Sequence, residues 1–171
     1  LNLIENKITD ISPLSALTNL RLLDLSTNAI TDIAPLAHIS ALQTLSLANN
    51  DIHDITPLAG LHQLTSLSLL SNENIASVSS LKPLTNLESL FLDNVPVGDE
   101  ISALANKHEL RDLSMANAQL TTITPLSGLT LLTNLNLRDN DIVDLTPLST
   151  LARLKTLNLQ SNPHIASIQP L

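Results

Sequence analysis

Residues 42–63 read LQTLSLANNDIHDITPLAGLHQ, and most of the chain repeats this unit with small changes. Residues 20–41 (LRLLDLSTNAITDIAPLAHISA) and residues 132–153 (LTNLNLRDNDIVDLTPLSTLAR) keep the same frame, LxxLxLxxNxIxDIxPLxxLxx, over 22 residues each. A unit that recurs at a fixed length predicts a stacked array, because a single unit of this size buries its apolar face only against its neighbours.

The repeat frame divides the chain into eight repeats within a single domain, residues 1–171. The repeats span residues 1–19, 20–41, 42–63, 64–86, 87–109, 110–131, 132–153 and 154–171, and the first and last are partial. The repeat of residues 87–109, the fifth, departs most from the frame. Because the chain begins and ends inside a repeat, we expect a fragment of a longer array that lacks the end caps of such arrays.

Two recurring features of the frame, the LxL pair and the Asn that follows it, predict the local structure. The LxL pair, as in Leu45 and Leu47, predicts a short strand with both leucines on one face, and eight such strands would form a parallel sheet roughly 35 Å long. The Asn three residues after the second leucine is expected to bond unpaired backbone groups of neighbouring turns. These ladder asparagines lie at positions 6, 28, 50, 72, 140 and 162.

The DI(S/T/A)PL phrase predicts the opposite side of each repeat. A Ser or Thr cap followed by Pro is a helix-start signal, and the few residues that remain before the next strand limit the helix to a short 3₁₀ turn. An Asp precedes this turn at positions 10, 32, 54 and 144. A column of carboxylates could bind calcium, but we favour capping of backbone N–H groups by Asp10, Asp32, Asp54 and Asp144.

The phrase NxIxDIxPLxxLxxL, present in residues 28–42 and 140–154, resembles the internalin-type leucine-rich-repeat proteins of bacteria. The fold class is then an α/β solenoid: a leucine-rich-repeat right-handed superhelix with a parallel concave β-sheet and short 3₁₀ convex turns. The resemblance implies a protein that is secreted or on the cell surface of a bacterium and binds another protein, such as a host surface receptor, in adhesion and virulence. A cytoplasmic scaffold is the alternative location.

Composition argues against several other functions. The net charge of −8 disfavours nucleic acid, because phosphate binding needs clustered Lys and Arg. No apolar run is long enough to insert in a membrane, and the absence of cysteine excludes thiolate metal sites. The three glycines are far apart and the five histidines form no ligand pair, so we predict no cofactor, no metal site and no enzymatic activity.

Function must then come from positions that the frame leaves free on the concave face. Between the two strand leucines these positions hold Asn2, Asp24, Ser46, Ser68, Phe91, Ser114, Asn136 and Asn158. Phe91 is the only aromatic residue of the chain, and an aromatic ring at a solvent-facing strand position marks an interface. The alternative is that the irregular fifth repeat lies out of register and covers the ring.

We predict a protein-binding patch around Phe91, with an apolar centre and a charged rim. It comprises Phe91, Leu70, Asp93 and Asp112, with Arg138 nearer its edge and Leu22 several strands away. The leading hypothesis is a non-enzymatic module that binds a partner protein through this face. The alternative is a structural spacer or intracellular scaffold repeat without a specific ligand. The absence of Trp and Tyr disfavours a glycan.

The fifth repeat lacks the Pro of the convex turn, and Val95 replaces the ladder Asn, as Ala118 does in the next repeat. Its segment DEISALANKHEL places Ile101, Leu104, Ala105 and His108 at i, i+3, i+4 and i+7. This spacing predicts about two turns of α-helix over residues 100–107, which would widen the convex side. The helix would also explain Lys107 in a slot where the frame has Leu. Neutral drift within a repeat array is the alternative.

Overall fold

The computed structural model describes residues 1–171, and its seven strands form one parallel sheet in chain order. The strands are β1 (Leu22–Asp24), β2 (Thr44–Ser46), β3 (Ser66–Ser68), β4 (Ser89–Phe91), β5 (Asp112–Ser114), β6 (Asn134–Asn136) and β7 (Thr156–Asn158). Asn2 forms an isolated parallel bridge to Asp24 in place of an eighth strand. The predicted parallel sheet of a leucine-rich-repeat solenoid is therefore confirmed.

In the first seven repeats a 3₁₀ helix lies on the side opposite the sheet, and the partial eighth repeat has β7 without a helix. These helices are η1 (Ser12–Ala16), η2 (Ala34–His38), η3 (Thr56–Gly60), η4 (Ser79–Leu81), η5 (Gly98–Leu104), η6 (Thr124–Gly128) and η7 (Thr146–Thr150). All are 3₁₀ rather than α, as predicted for the regular repeats. Pro57 of η3 illustrates the frame: it is the second helical residue, where its missing N–H leaves no hydrogen bond unmade.

The residue that caps these helices differs from the expectation. Thr56 is the first helical residue, and the N-cap residue is Ile55, whose side chain forms no hydrogen bond. The first free N–H donates instead to the carboxylate two residues earlier, as from Thr56 to Asp54 at 2.8 Å. The predicted Ser or Thr cap is thus wrong, and the predicted Asp cap is confirmed. An ionised carboxylate accepts a stronger hydrogen bond than a hydroxyl does.

One hydrophobic core of 45 buried side chains runs the length of the solenoid. The strand leucines, such as Leu45 and Leu67, are fully buried in it, and so are the leucines of the 3₁₀ turns, such as Leu58. Every repeat therefore buries its apolar face against the next one, as the spacing of the frame predicts.

The asparagine ladder is present where the frame supplies it. The Asn50 side chain accepts a hydrogen bond from the Ile30 N–H at 3.0 Å and donates to the carbonyl oxygens of Leu25 at 3.1 Å and Leu47 at 2.9 Å. Each ladder Asn from Asn28 onward thus bonds its own repeat and the preceding one, whereas Asn6 in the first repeat bonds only its own. Where the ladder is broken, Val95 and Ala118 are fully buried and fill the space with apolar atoms.

The α-helix predicted over residues 100–107 is wrong. The segment forms η5, a 3₁₀ helix of seven residues, and backbone bonds three residues apart continue past its end, from Lys107 N–H to the Leu104 carbonyl at 3.0 Å. A 3₁₀ helix rises about 2.0 Å per residue against 1.5 Å for an α-helix, so it crosses the convex side in fewer residues. Its three-residue period buries Leu104 and Lys107 on the core side and leaves Ala105 and His108 exposed.

Lys107 consequently lies in the core slot that the frame gives to Leu, and it is fully buried. Its alkyl chain packs in the slot while its ammonium group donates to the Lys82 carbonyl oxygen and to Asn106 Oδ1, each at 3.2 Å. Burial lowers the pKa of Lys107 to about 8, because the charged form loses hydration there.

Candidate binding face

The concave face consists of the outward side chains of the seven strands, and Phe91 stands among them in register. Phe91 pairs with Ser68 of β3 and with Ser114 of β5, both of which are small. Its ring is partly exposed. The fifth repeat therefore keeps its strand register despite its irregular convex side, and the alternative of a covered, out-of-register Phe91 is wrong.

A shallow hollow of about 370 Å³ opens beside the Phe91 ring and extends across β5, β6 and β7. We call it the concave hollow. Beyond the ring, the residues that line it are polar or are strand leucines, of which Leu113 and Leu135 are buried and Leu157 is partly buried. The polar ones are Asp112, Ser114, Asn134, Asn136, Thr156 and Asn158. Asp112 is the only charged residue among its ten lining residues.

Hydrogen bonds between neighbouring strands hold Asp112 in place. The Ser89 hydroxyl donates to Asp112 Oδ2 at 3.3 Å, and the Asn134 amide donates to Asp112 Oδ1. The Thr156 hydroxyl in turn donates to Asn134 Oδ1 at 2.6 Å. This row of bonds runs from β7 to β4, and all the donors to the carboxylate are neutral.

A second network fixes Asp93, which follows β4. Its Oδ1 atom accepts hydrogen bonds from the Ser114 hydroxyl at 2.6 Å and from the Ala116 N–H at 2.7 Å. The Asn136 amide donates to the Ser114 hydroxyl at 2.9 Å and extends the network to β6. The other oxygen of Asp93, Oδ2, accepts no hydrogen bond from the chain. Asp93 is thus held across the next repeat with one oxygen free.

The concave face carries negative charge. Asp24, Asp93 and Asp112 are partly buried on it, and none lies within 4.0 Å of a cationic group. No strand contains Lys or Arg. Arg138 lies two residues after β6, but its guanidinium forms an ion pair with Asp139, with Nε 2.8 Å from the carboxylate.

The structure brings four of the six predicted patch residues to neighbouring strands. Leu70 lies two residues after β3, Phe91 ends β4, Asp93 lies two residues after β4, and Asp112 begins β5. Leu22 lies on β1 and is 53% exposed, but three strand spacings, about 14 Å, separate it from β4. Leu22 and Arg138 therefore lie outside the group around Phe91.

Sequence reasoning missed the side of Phe91 on which the hollow opens. The polar residues of β6 and β7, among them Asn134, Asn136 and Thr156, line it. A signal was present in the sequence, because NLN at residues 134–136 places an amide at both outward positions of one strand. The structure contains no group of acidic residues and histidines spaced to hold a metal ion. It also has no helix whose length and apolar character would let it cross a bilayer.

Comparison with known proteins agrees with this architecture. The family described as leucine-rich repeats (2 copies) matches residues 1–38, 40–83 and 130–171. The unmatched residues 84–129 include the irregular fifth repeat. No curated protein sequence matches the chain.

Three solved structures illustrate the similarity. Internalin C2 from Listeria monocytogenes is 35% identical with a TM-score of 0.95, over 99% of this chain and 74% of its own. Another internalin of that species, InlF, is 36% identical with a TM-score of 0.74, over 94% of this chain and 53% of its own. The plant peptide hormone receptor RGFR1, in complex with RGF2, is 24% identical with a TM-score of 0.71, over 89% of this chain and 30% of its own. At that identity the receptor shares the fold.

Proposed function

The chain belongs to the internalin-type leucine-rich-repeat proteins, and from this premise we propose that it is a non-enzymatic module that binds a partner protein on its concave face. The observation that carries the proposal is the position of Phe91. It is the only aromatic residue of the chain, and its partly exposed ring forms one wall of the concave hollow. Aromatic side chains dominate the energetics of protein interfaces.

The fold does not require the Phe91 ring, and this supports a role for the ring in binding. The buried strand leucines and the ladder asparagines hold the repeats together, and the equivalent positions of β3 and β5 carry Ser68 and Ser114. A serine in this column is sufficient for the sheet. The ring is therefore available for binding.

The internalins that resemble this chain support a proposal about its setting. We infer a bacterial protein that is secreted or on the cell surface and that binds a host protein in adhesion. This chain spans 74% of internalin C2 but only 53% of InlF. The proposal for this chain accordingly concerns the repeat array and its concave face.

A structural spacer without a ligand is the second candidate, and the polar networks favour it. Side chains on the concave face bond each other across strands, as the hydroxyls of Ser26 and Ser46 do at 2.6 Å. Such bonds satisfy the face without any partner. A spacer nevertheless gives no role to the partly exposed Phe91 ring.

The test isolates a partner and then measures its dependence on Phe91. The immobilised chain is incubated with proteins from the surface of mammalian cells, and a captured protein is identified, produced in pure form and titrated. Phe91→Ala should weaken its binding at least about fivefold. The matched control is Val143→Ala, which truncates an apolar side chain that is 60% exposed outside the strands and should leave the affinity unchanged. Equal affinities of the two variants would contradict the proposal.

A further inference from the structure

We propose that the partner places a cationic side chain, arginine or lysine, on the Phe91 ring between the carboxylates of Asp93 and Asp112. This inference rests on the proposed function of the concave face and specifies the chemistry of the partner. The occupant is a basic segment of a protein. The reasons are the partly exposed ring beside the hollow, the two carboxylates near it and the absence of any ion pair that neutralises them.

The Phe91 ring is accessible to a cation from the concave side. Its strand neighbours in the same column, Ser68 and Ser114, are too small to cover it, and the concave hollow opens on the β5 side. A guanidinium or ammonium group above an aromatic face is attracted by the negative charge of the π-system. A partner side chain that enters the hollow therefore meets the Phe91 ring along one wall.

The same hollow presents a carboxylate within reach of that cation. Asp112 pairs with Ser89 in the sheet, and Phe91 lies two residues further along the same strand. The spacing between strands and the rise per residue place the backbone positions of Phe91 and Asp112 about 8 Å apart in space, so one long side chain of the partner can contact both. Asp93 flanks the ring from the other end, since it follows Phe91 by two residues on the same side of the strand.

Both carboxylates retain unused acceptor capacity. An ionised carboxylate has about four acceptor sites, and the chain occupies two of those of Asp112. Oδ2 of Asp93 accepts nothing from the chain. The existing donors are neutral hydroxyl and amide groups, which hold the carboxylates in fixed orientations without neutralising them. Binding of a cation would therefore order few further side chains.

Charge decides between the possible occupants. An acidic segment would be repelled by Asp93 and Asp112. The two arginines closest in sequence and strand order, Arg111 and Arg138, already face Glu88 and Asp139. A purely apolar segment would bury Asp112 against no opposite charge, which is unfavourable in a partly desolvated site. A cation gains attraction to the ring and to the carboxylates together, and this favours arginine or lysine.

The probe for the test is a library of random-sequence peptides displayed on phage and selected on the wild-type chain. Peptides that bind wild type and fail to bind Phe91→Ala should be enriched in Arg and Lys over the starting library. One such peptide is then synthesised, and its Arg is replaced by citrulline, which has nearly the same shape without the charge. We expect this replacement to weaken binding at least about tenfold, and the affinity of the original peptide should fall as salt increases.

Variants of the chain locate the carboxylates. Asp112→Asn and Asp93→Asn should each weaken the arginine peptide several-fold and have little effect on the citrulline peptide. The matched control is Asp99→Asn, which makes the same change in charge on the convex side and should leave both peptides unaffected. Melting curves of all variants show whether each remains folded, and Asp112→Asn carries the test if Asp93→Asn does not fold.

The outcomes separate this inference from the function on which it rests. Peptides that depend on Phe91, show no enrichment in Arg or Lys and ignore both Asp→Asn variants would overturn the cationic inference and leave the binding face intact. A selection that yields only peptides insensitive to Phe91→Ala, or none, would count against the binding face as well. Equal losses with Asp99→Asn would mean that only net charge matters, and this too would overturn the inference.

Discussion

The ammonium nitrogen of Lys107 donates a hydrogen bond to the backbone carbonyl oxygen of Lys82 at 3.2 Å, and the Lys107 residue is fully buried. The neighbouring repeats have leucines at this position, Leu84 and Leu129, and both are fully buried. Lys107 thus replaces a core leucine and carries a charge at the edge of the core. The hydrogen bonds to the Lys82 carbonyl and Asn106 only partly compensate for the lost hydration.

We therefore predict that Lys107→Leu stabilises the protein. Below pH 8 Lys107 is charged in the folded wild type, and the cost of burying its charge fully opposes folding. A folded-state pKa of about 8 against an ordinary 10.5 corresponds to a cost of up to about 3 kcal/mol in the free energy of unfolding. The unfolded chain binds more protons than the folded chain between pH 8 and 10.5, so wild-type stability rises with pH there. Urea denaturation of wild type and Lys107→Leu should show a difference that shrinks as pH rises through this window.

The control for this prediction is Lys82→Leu, which removes an exposed lysine one repeat earlier and keeps the carbonyl that Lys107 bonds. It should change stability little and show no such pH dependence. A constant difference between wild type and Lys107→Leu from pH 7 to pH 10 would contradict the buried charge.

Asn72→Ala should destabilise the solenoid strongly. The Asn72 side chain is fully buried, donates to the carbonyl oxygens of Leu47 and Leu69, and accepts from the Ile52 N–H at 3.1 Å. Alanine leaves these backbone groups buried without partners, which costs about 3 kcal/mol in the free energy of unfolding. Asn86→Ala removes an exposed amide and should cost far less; comparable losses in denaturation would refute the ladder's role.

The Asp caps predict a loss of stability in acid. Hydrogen bonds from the Thr56 N–H and hydroxyl lower the pKa of Asp54 below its ordinary 3.8. Ser12 and Thr146 lower the pKa values of Asp10 and Asp144 in the same way. A lowered folded-state pKa gives stability above the unfolded value and loses it as pH falls through the folded value. The melting temperature should therefore drop below about pH 4, and less steeply in Asp54→Asn. Parallel curves for wild type and variant would argue against capping.

Two glycines provide a matched test of backbone strain. Gly98 has a φ of +47°, and a Cβ there would approach nothing closer than 3.9 Å, so alanine brings strain without a clash. Gly98→Ala should cost about 1 kcal/mol in the free energy of unfolding. Gly60 ends η3 with open space around it, and Gly60→Ala should be neutral or slightly stabilising. Similar effects of the two substitutions would mean that Gly98 does not need its left-handed conformation.

The sequence predicts the structure correctly wherever the same contact recurs in successive repeats. The strand leucines, the ladder asparagines and the Asp caps recur because every repeat makes the same contacts, so the frame predicts those contacts directly. The prediction for the convex side of the fifth repeat was wrong because the spacing of Ile101 and Leu104 suits both an α-helix and a 3₁₀ helix. Lys107 distinguishes the two, and a lysine gives no hint that its alkyl chain is buried.

The binding face was predicted in part for a similar reason. Strand alternation identifies the column that contains Phe91, and the structure keeps that column in register. The bonds that link Asn134 to Asp112 and Asn136 to Ser114 depend on side-chain orientation, which spacing does not encode. The hollow and the fixing of both carboxylates therefore emerge only from the structure.

One calorimetric titration decides whether the concave face binds a partner protein through Phe91. The partner isolated with the wild-type chain is titrated into wild type, Phe91→Ala and Val143→Ala under identical conditions. We expect Phe91→Ala to keep its melting temperature and to lose at least about 1 kcal/mol of binding free energy, while Val143→Ala binds as wild type does. Binding of Phe91→Ala with wild-type affinity would contradict this expectation.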